Sequence, residues 1–307
     1  MAENVAETIR RISREHLEKN NGLLMGQCLT AVGYVAGTVP EMTEEEGLIE
    51  IPTADVANGS FAVGMALAGK RPIYVVRYQG FQTYNSPEII NYAAKSKEMW
   101  GIPCPIFVRS VAMEGGMGPV ASASHHGLYH RSPGIQIAAP MTSKEYQDTW
   151  DFFMKHDDPI YVSEHRRSFL IDYEMENIVQ KNSEITLLPI SATRLNTIEA
   201  KEKLEKEGIK ANIVHLPWIR PFDLNNLELI EHSLNHSKYG GLIIDGDYAN
   251  GIAKPLAYDL HEKTGLKVCV LGLEERVSGF APQFDVLAPS AERIFSRVSE
   301  IIGKEVN

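Results

Sequence analysis

The fifty residues from Ile51 to Trp100 constrain this chain most: IPTADVANGSFAVGMALAGKRPIYVVRYQGFQTYNSPEIINYAAKSKEMW. A short apolar strand over 49–51 enters a Pro-Thr-Ala-Asp turn, and a helix of small residues is expected over 58–68. Gly69-Lys70-Arg71-Pro72 breaks that helix, because glycine and proline both interrupt regular structure. A second strand follows over 73–76, then an aromatic loop over 78–84, then a helix over 87–99. Apolar strands alternating with helices form parallel α/β sheets. Such sheets bind ligands at the carboxyl ends of their strands. Asp55, which opens a helix, and Phe81, which lies past the next strand, therefore both fall near a ligand position.

The same alternation fills the rest of the chain. Residues 4–19 read as an amphipathic helix, 23–25 as an apolar run, and 27–39 as a segment rich in small residues. Strands are expected over 105–108, 135–139 and 159–163, with a helix over 144–155. A polar stretch over 172–184 reads as a linker. The pattern then restarts with strands over 185–189, 211–216, 241–244 and 267–271, and helices over 197–206, 227–234 and 252–264. Two α/β domains are expected, one over 1–178 and one over 183–307, which agrees with a length of 307 residues.

Bulk properties narrow the function. A net charge of −10 argues against nucleic acid and anionic membranes as partners. Cys28, Cys104 and Cys269 form no CxxC pair, so neither a zinc site nor a disulfide framework is expected, and a cytoplasmic setting fits. No apolar run approaches the roughly 20 residues of a membrane span.

The order of motifs resembles the thiamine-diphosphate-dependent, transketolase-like superfamily, in particular the β subunit of 2-oxo acid dehydrogenases and the C-terminal half of transketolase. There the turn reads roughly P-x-x-E before a Gly/Ala-rich helix. A G-x-x-P-I strand, an aromatic loop and a helix ending in A-A-K follow. The counterparts here are Pro52 to Asp55, Gly69 to Ile73, Tyr78 to Tyr84, and Ala93-Ala94-Lys95, with aspartate at the glutamate's place. Farther on, GIKANIVHLPWIRPFD and GGLIIDGDYANGIAKPLAYDL resemble strand and turn segments of the family's C-terminal domain.

The resemblance implies two parallel-sheet α/β domains, a pyrimidine-binding one and a transketolase C-terminal one. It implies a β-type subunit of a heteromeric enzyme that decarboxylates a 2-oxo acid and transfers the acyl unit. A transketolase-like or acyloin-forming carboligase is the alternative, and a non-catalytic binding homologue a second one. The cofactor would be thiamine diphosphate with Mg²⁺. The G-D-G…N motif that holds the metal and the diphosphate does not occur in this chain. An α-type partner in an α2β2 assembly would supply it, and a lipoyl acyltransferase would be a further partner.

The resemblance also assigns residues. Asp55 would face the aminopyrimidine, where a carboxylate stabilises a protonated ring nitrogen; on local sequence alone it would equally cap its helix. Phe81, 26 positions later, would stack on the ring, with Tyr78 and Tyr84 as neighbours. Arg77 could hold an anionic substrate group bidentately or pair with another subunit. His125 and His126 lie in the loop where the family carries a proton-transfer histidine, with His130 a third choice; surface histidines are the plainer reading. Asp245-Gly246-Asp247 reads as a helix-entry turn, and Arg109, Glu164, His165 and Arg166 as structural or interfacial.

Overall fold

Strands β3 (Pro72–Val76), β4 (Phe107–Ala112) and β6 (Ile160–His165) are buried along their whole length. Sheets covered on both faces show this pattern. They lie at the centre of a parallel sheet in a computed structural model that describes residues 2–114, 117–284 and 287–304. The chain forms two compact units, residues 1–113 with 128–174, and residues 114–127 with 175–307.

In the first unit, β1 (Leu23–Gly26), β2 (Leu48–Glu50) and β5 (Gln136–Ala138) join them in the order β2-β1-β3-β4-β6-β5, each of these pairs parallel. Helix α1 (Val5–Lys19) starts at a reciprocal capping box between Asn4 and Glu7, which satisfies two otherwise orphaned backbone donors. The short α2 (Ala31–Gly37) is a left-handed turn: φ runs from 51° to 61° over residues 32–36. L-residues adopt this conformation at a cost of about 1–2 kcal/mol each.

Helix α3 (Asp55–Leu67) begins three residues earlier than the expected 58, so Asp55 is inside its first turn. The expected 87–99 helix also begins earlier, as α4 (Gln82–Glu88). It passes through a π-turn at Ile89–Ala93 before α5 (Ala94–Trp100). Pro87 and the π-turn together interrupt the regular ladder. The strand expected at 105–108 is shifted toward its C-terminus, to Phe107–Ala112. After β4 come two single turns, α6 (Gly118–Ala121) and α7 (Gly127–His130), and then α8 (Ser143–Lys155).

Two buried features tie this unit together. Arg109 donates to both oxygens of Glu164, at 2.7 and 3.0 Å, and Tyr146 donates to the same carboxylate at 2.6 Å. All three are buried, the setting in which an ion pair needs such extra hydrogen bonds to offset desolvation. Gly134, at φ +82°, sits where a Cβ would lie 1.7 Å from the carbonyl oxygen of Ala94. Only glycine permits that approach.

The second unit is a four-stranded parallel sheet, β11-β10-β7-β8 in order. Its strands are β7 (Ile185–Pro189), β8 (Ala211–Ile213), β10 (Gly241–Tyr248) and β11 (Val268–Leu273); a short β9 (Trp218–Arg220) precedes α10. Helices α9 (Thr193–Lys206), α10 (Leu227–Asn235), α11 (Ala253–Thr264) and α12 (Ala291–Ile302) alternate with them. Leu187, Leu204, Ile213, Ile244, Ile294 and Val298 anchor its core. Asp245-Gly246-Asp247 is not a helix-entry turn: these residues extend strand β10, and α11 begins six residues after Asp247. Among the described residues no helix is long and apolar enough to cross a membrane.

Candidate functional site

Strands β1, β2 and β3 run parallel, so their carboxyl ends lie at one edge of the sheet. A cavity of about 350 Å³ opens there. Gln27 and Cys28 reach it from the end of β1, Thr53 and Asp55 from beyond β2, and Arg77 and Tyr78 from the end of β3. Tyr74, Phe81 and Asn85 complete its lining together with the backbone of β3.

Asp55 does not cap its helix. Ala54 holds the cap position, with no side-chain capping bond. The Asp55 carboxylate instead accepts two side-chain hydrogen bonds, both on Oδ1: from Gln27 Nε2 at 2.9 Å and from Asn85 Nδ2 at 2.9 Å. As a negative charge in the first turn it also sits favourably against the helix dipole. Asn85 is itself held, since its Nδ2 donates to the Phe81 carbonyl at 3.0 Å and its Oδ1 accepts from the Tyr74 hydroxyl. Burial, followed by the charge of Asp55, pushes the Tyr74 phenol well above its usual range, so it remains a proton donor.

Phe81 ends a short 3₁₀ turn and is half-buried. Its ring lies 6.1 Å from that of Tyr78, tilted by 36°. Arg77 donates to the Cys28 carbonyl at 3.3 Å, and its guanidinium lies 5.7 Å from the Tyr78 ring centroid. The cavity thus combines aromatic walls with one carboxylate held by neutral amides. A flat heteroaromatic ring carrying an N–H donor fits both its size and its chemistry.

His125 and His126 belong to the second unit, His130 to the first. His126 is fully enclosed, and its Nε2 lies 2.9 and 3.2 Å from the two Asp245 oxygens. Burial opposes a charge there, but the Asp245 carboxylate outweighs it and raises the imidazole above its ordinary value. Asp247 accepts from the Gly127 N–H at 2.7 Å, and burial raises its carboxyl. His125 is half-buried, with Nε2 3.2 Å from the Ser122 carbonyl and its ring 6.3 Å from Tyr248. Burial lowers its pKa, which favours the neutral imidazole.

The chain matches the family description "Transketolase, pyrimidine binding domain" over residues 16–170 and "Transketolase, C-terminal domain" over residues 176–281. It belongs to the transketolase family. It is 22% identical over 252 residues to a pyruvate dehydrogenase E1 component subunit beta of Staphylococcus epidermidis, covering 77% of this chain and 75% of that one. Identity to the 2-oxoisovalerate dehydrogenase subunit beta of Bacillus subtilis is 26%, covering 71% and 72%. Identity to the acetoin:2,6-dichlorophenolindophenol oxidoreductase subunit beta of Cupriavidus necator is also 26%, covering 66% and 65%. Among solved structures, a split-gene transketolase described as an inactive beta4 tetramer superposes with a TM-score of 0.72 at 16% identity over all of both chains. A transketolase mutant from Pichia stipitis gives 0.73 at 17% identity, over 99% of this chain and 46% of that one.

The cavity gathers Asp55, Phe81, Tyr78 and Arg77, all marked in the sequence, whereas Gln27, Tyr74 and Asn85 carry no motif. A signal for them exists in hindsight. Gln27 is the first polar residue past an apolar strand, and Asn85 lies one helical turn after Phe81.

Proposed function

We propose that this chain is the β-type subunit of a heteromeric thiamine-diphosphate-dependent enzyme acting on a 2-oxo acid. The observation that carries this reading is the cavity at β1–β3, where the Asp55 carboxylate stands beside Phe81 and Tyr78. Thiamine diphosphate held there would supply a carbon nucleophile and an electron sink for decarboxylation. Asp55 would accept the pyrimidine N–H and favour the protonated ring. Phe81 and Tyr78 would flank the ring and exclude water. Arg77, at the end of β3, would pair with the substrate carboxylate.

His125 is the loop residue proposed to move a proton, since His126 is engaged by Asp245. An α-type partner in an α2β2 assembly would bring the diphosphate and Mg²⁺ ligands. The first unit leaves Val56, Phe61, Met99 and Trp100 more than half exposed on α3 and α5, apolar surface of the kind that partners cover. Free cysteines fit a cytoplasmic setting.

The acceptor divides the dehydrogenase reading from a carboligase one. The loop around His125 lacks the H-S-Q of dehydrogenase β subunits, and this favours a carboligase as the second reading. The complex purified with its partner is expected to consume a 2-oxo acid only with thiamine diphosphate and Mg²⁺ present. Acyl transfer to lipoamide supports the dehydrogenase, and condensation with an aldehyde the carboligase. Consumption that is indifferent to thiamine diphosphate would overturn both.

A further inference from the structure

Both side-chain hydrogen bonds to the short carboxylate of Asp55 fall on one of its oxygens. We infer that Asn85, together with Gln27, is a positioning residue: the pair fixes the Asp55 carboxylate on Oδ1, so that Oδ2 is the oxygen presented to a ligand in the cavity. The identity of that ligand as a thiamine pyrimidine rests on the function proposed above; the positioning itself does not.

The geometry carries the inference. A carboxylate rotates about its last torsion unless its two oxygens are distinguished. Here two amides from different elements donate to the same oxygen, Gln27 from beyond β1 and Asn85 from α4. Asn85 cannot turn over without cost. One of its amide hydrogens goes to Asp55 and the other to the Phe81 carbonyl, while its own oxygen accepts from Tyr74. A flipped amide would set oxygen against carboxylate and against carbonyl, and would leave the Tyr74 hydroxyl facing NH₂. Asn85 is 1% exposed, so water cannot replace these partners.

Helix packing delivers it. The Asn85 carbonyl oxygen lies 2.7 Å from where a Cβ on Gly59 would stand, so the missing side chain of Gly59 lets α4 approach α3. The choice of amides matters as well. A lysine or arginine at either position would hold the carboxylate but neutralise it, whereas two amides orient it and leave its full negative charge for a protonated ring nitrogen.

The test compares wild type with Asn85→Ala and Gln27→Leu, the latter leaving Tyr74 and Phe81 untouched should the former fold poorly. Crystal structures of the free chain read the orientation of Asp55 directly. Calorimetry on the complex with the α-type partner reads thiamine diphosphate affinity in the presence of Mg²⁺. In each variant the carboxylate is expected to rotate or split between two orientations, with affinity weakened roughly 10–100-fold, the range for one hydrogen bond to a charged group. Adding Asp55→Glu to Asn85→Ala should recover part of that affinity, because a longer carboxylate reaches the ring without the prop. A merely structural Asn85 would lower the melting temperature and show no such recovery. Asp55 holding its wild-type orientation in both variants would overturn the inference. If the wild-type complex takes up no thiamine diphosphate, the cofactor reading fails, and the crystal structures alone decide the positioning.

Discussion

Two aspartates follow apolar strands in this chain and meet opposite fates. Asp55 stands half-buried at the carboxyl ends of β1–β3 and is held by two neutral amides. Asp245 stands fully buried in β10 and is engaged by the His126 imidazole. In the sequence Asp245 has the stronger air of chemistry, since His-His and Asp-Gly-Asp are conspicuous and Gln, Asp and Asn far apart are not. The contacts reverse that impression. A buried acid paired with a buried base satisfies itself, and its main consequence is to hold the loop on β10. A half-buried acid oriented by neutral donors keeps its charge and one oxygen for something else.

The contrast breaks most visibly in stability. His126→Ala is expected to destabilise the chain by about 3–5 kcal/mol, the usual cost of stranding one member of a buried pair. Thermal or urea melts would show it. The sign with pH follows from the raised imidazole. Its contribution is complete below the ordinary histidine value, near 6.5, and is lost as pH rises through the folded value. The deficit of His126→Ala should therefore be larger at pH 6 than at pH 9. An equal deficit at both would separate the pair from the stability of the loop.

His125, next to it, should behave in the opposite way. His125→Ala is expected to lower turnover of the complex by roughly 10²–10⁴-fold, the usual contribution of a general acid or base, with little change in melting. If it turns over normally, proton transfer lies with the partner or the cofactor.

A third experiment concerns two buried histidines, His165 and His215, in which burial favours the neutral ring. Burial, with Arg167 adding for His165 and Arg194 for His215, lowers both to about 3. His165 Nδ1 accepts from the Arg167 N–H, a bond that protonation would break. A depressed histidine contributes stability that is complete above about 6.5 and is lost as pH falls toward the folded value. At pH 5, about 1.5 pH units below the ordinary value, each should contribute about 2 kcal/mol less. This acid loss exceeds and opposes the effect of His126, so wild type should melt earlier at pH 5 than at pH 7. His215→Gln should flatten that dependence.

The smallest effect belongs to Asp55. Asp55→Ala should lower stability by only about 1 kcal/mol in a thermal melt: the residue is half-buried and caps no helix, and the cost is that of leaving the Gln27 and Asn85 amides one acceptor short.

The architecture was legible because its signals are local. Uninterrupted apolar runs marked β3 and β7, and glycine or proline punctuated the helices. Strand 185–189 coincides with β7, while 252–264 begins only one residue before α11. What escaped was set by tertiary contact. The left-handed turn at α2 and the π-turn after α4 leave no periodic trace. At the cavity, Asp55, Phe81 and Tyr78 were legible through motif spacing. Gln27 and Asn85 were not, because their role is defined by a carboxylate 28 and 30 residues away in sequence. Asp245 was misplaced in a turn because D-G-D resembles one, while pairing with β11 extends β10 to Tyr248.

The most direct test is a calorimetric titration of thiamine diphosphate, with Mg²⁺, into the complex with its α-type partner, comparing wild type and Asp55→Ala. The expected result is saturable binding to wild type and an affinity at least roughly tenfold weaker in the variant, the scale of a charge-assisted hydrogen bond, with the assembly intact. Equal affinity in the two would contradict the assignment of the β1–β3 cavity as the pyrimidine site.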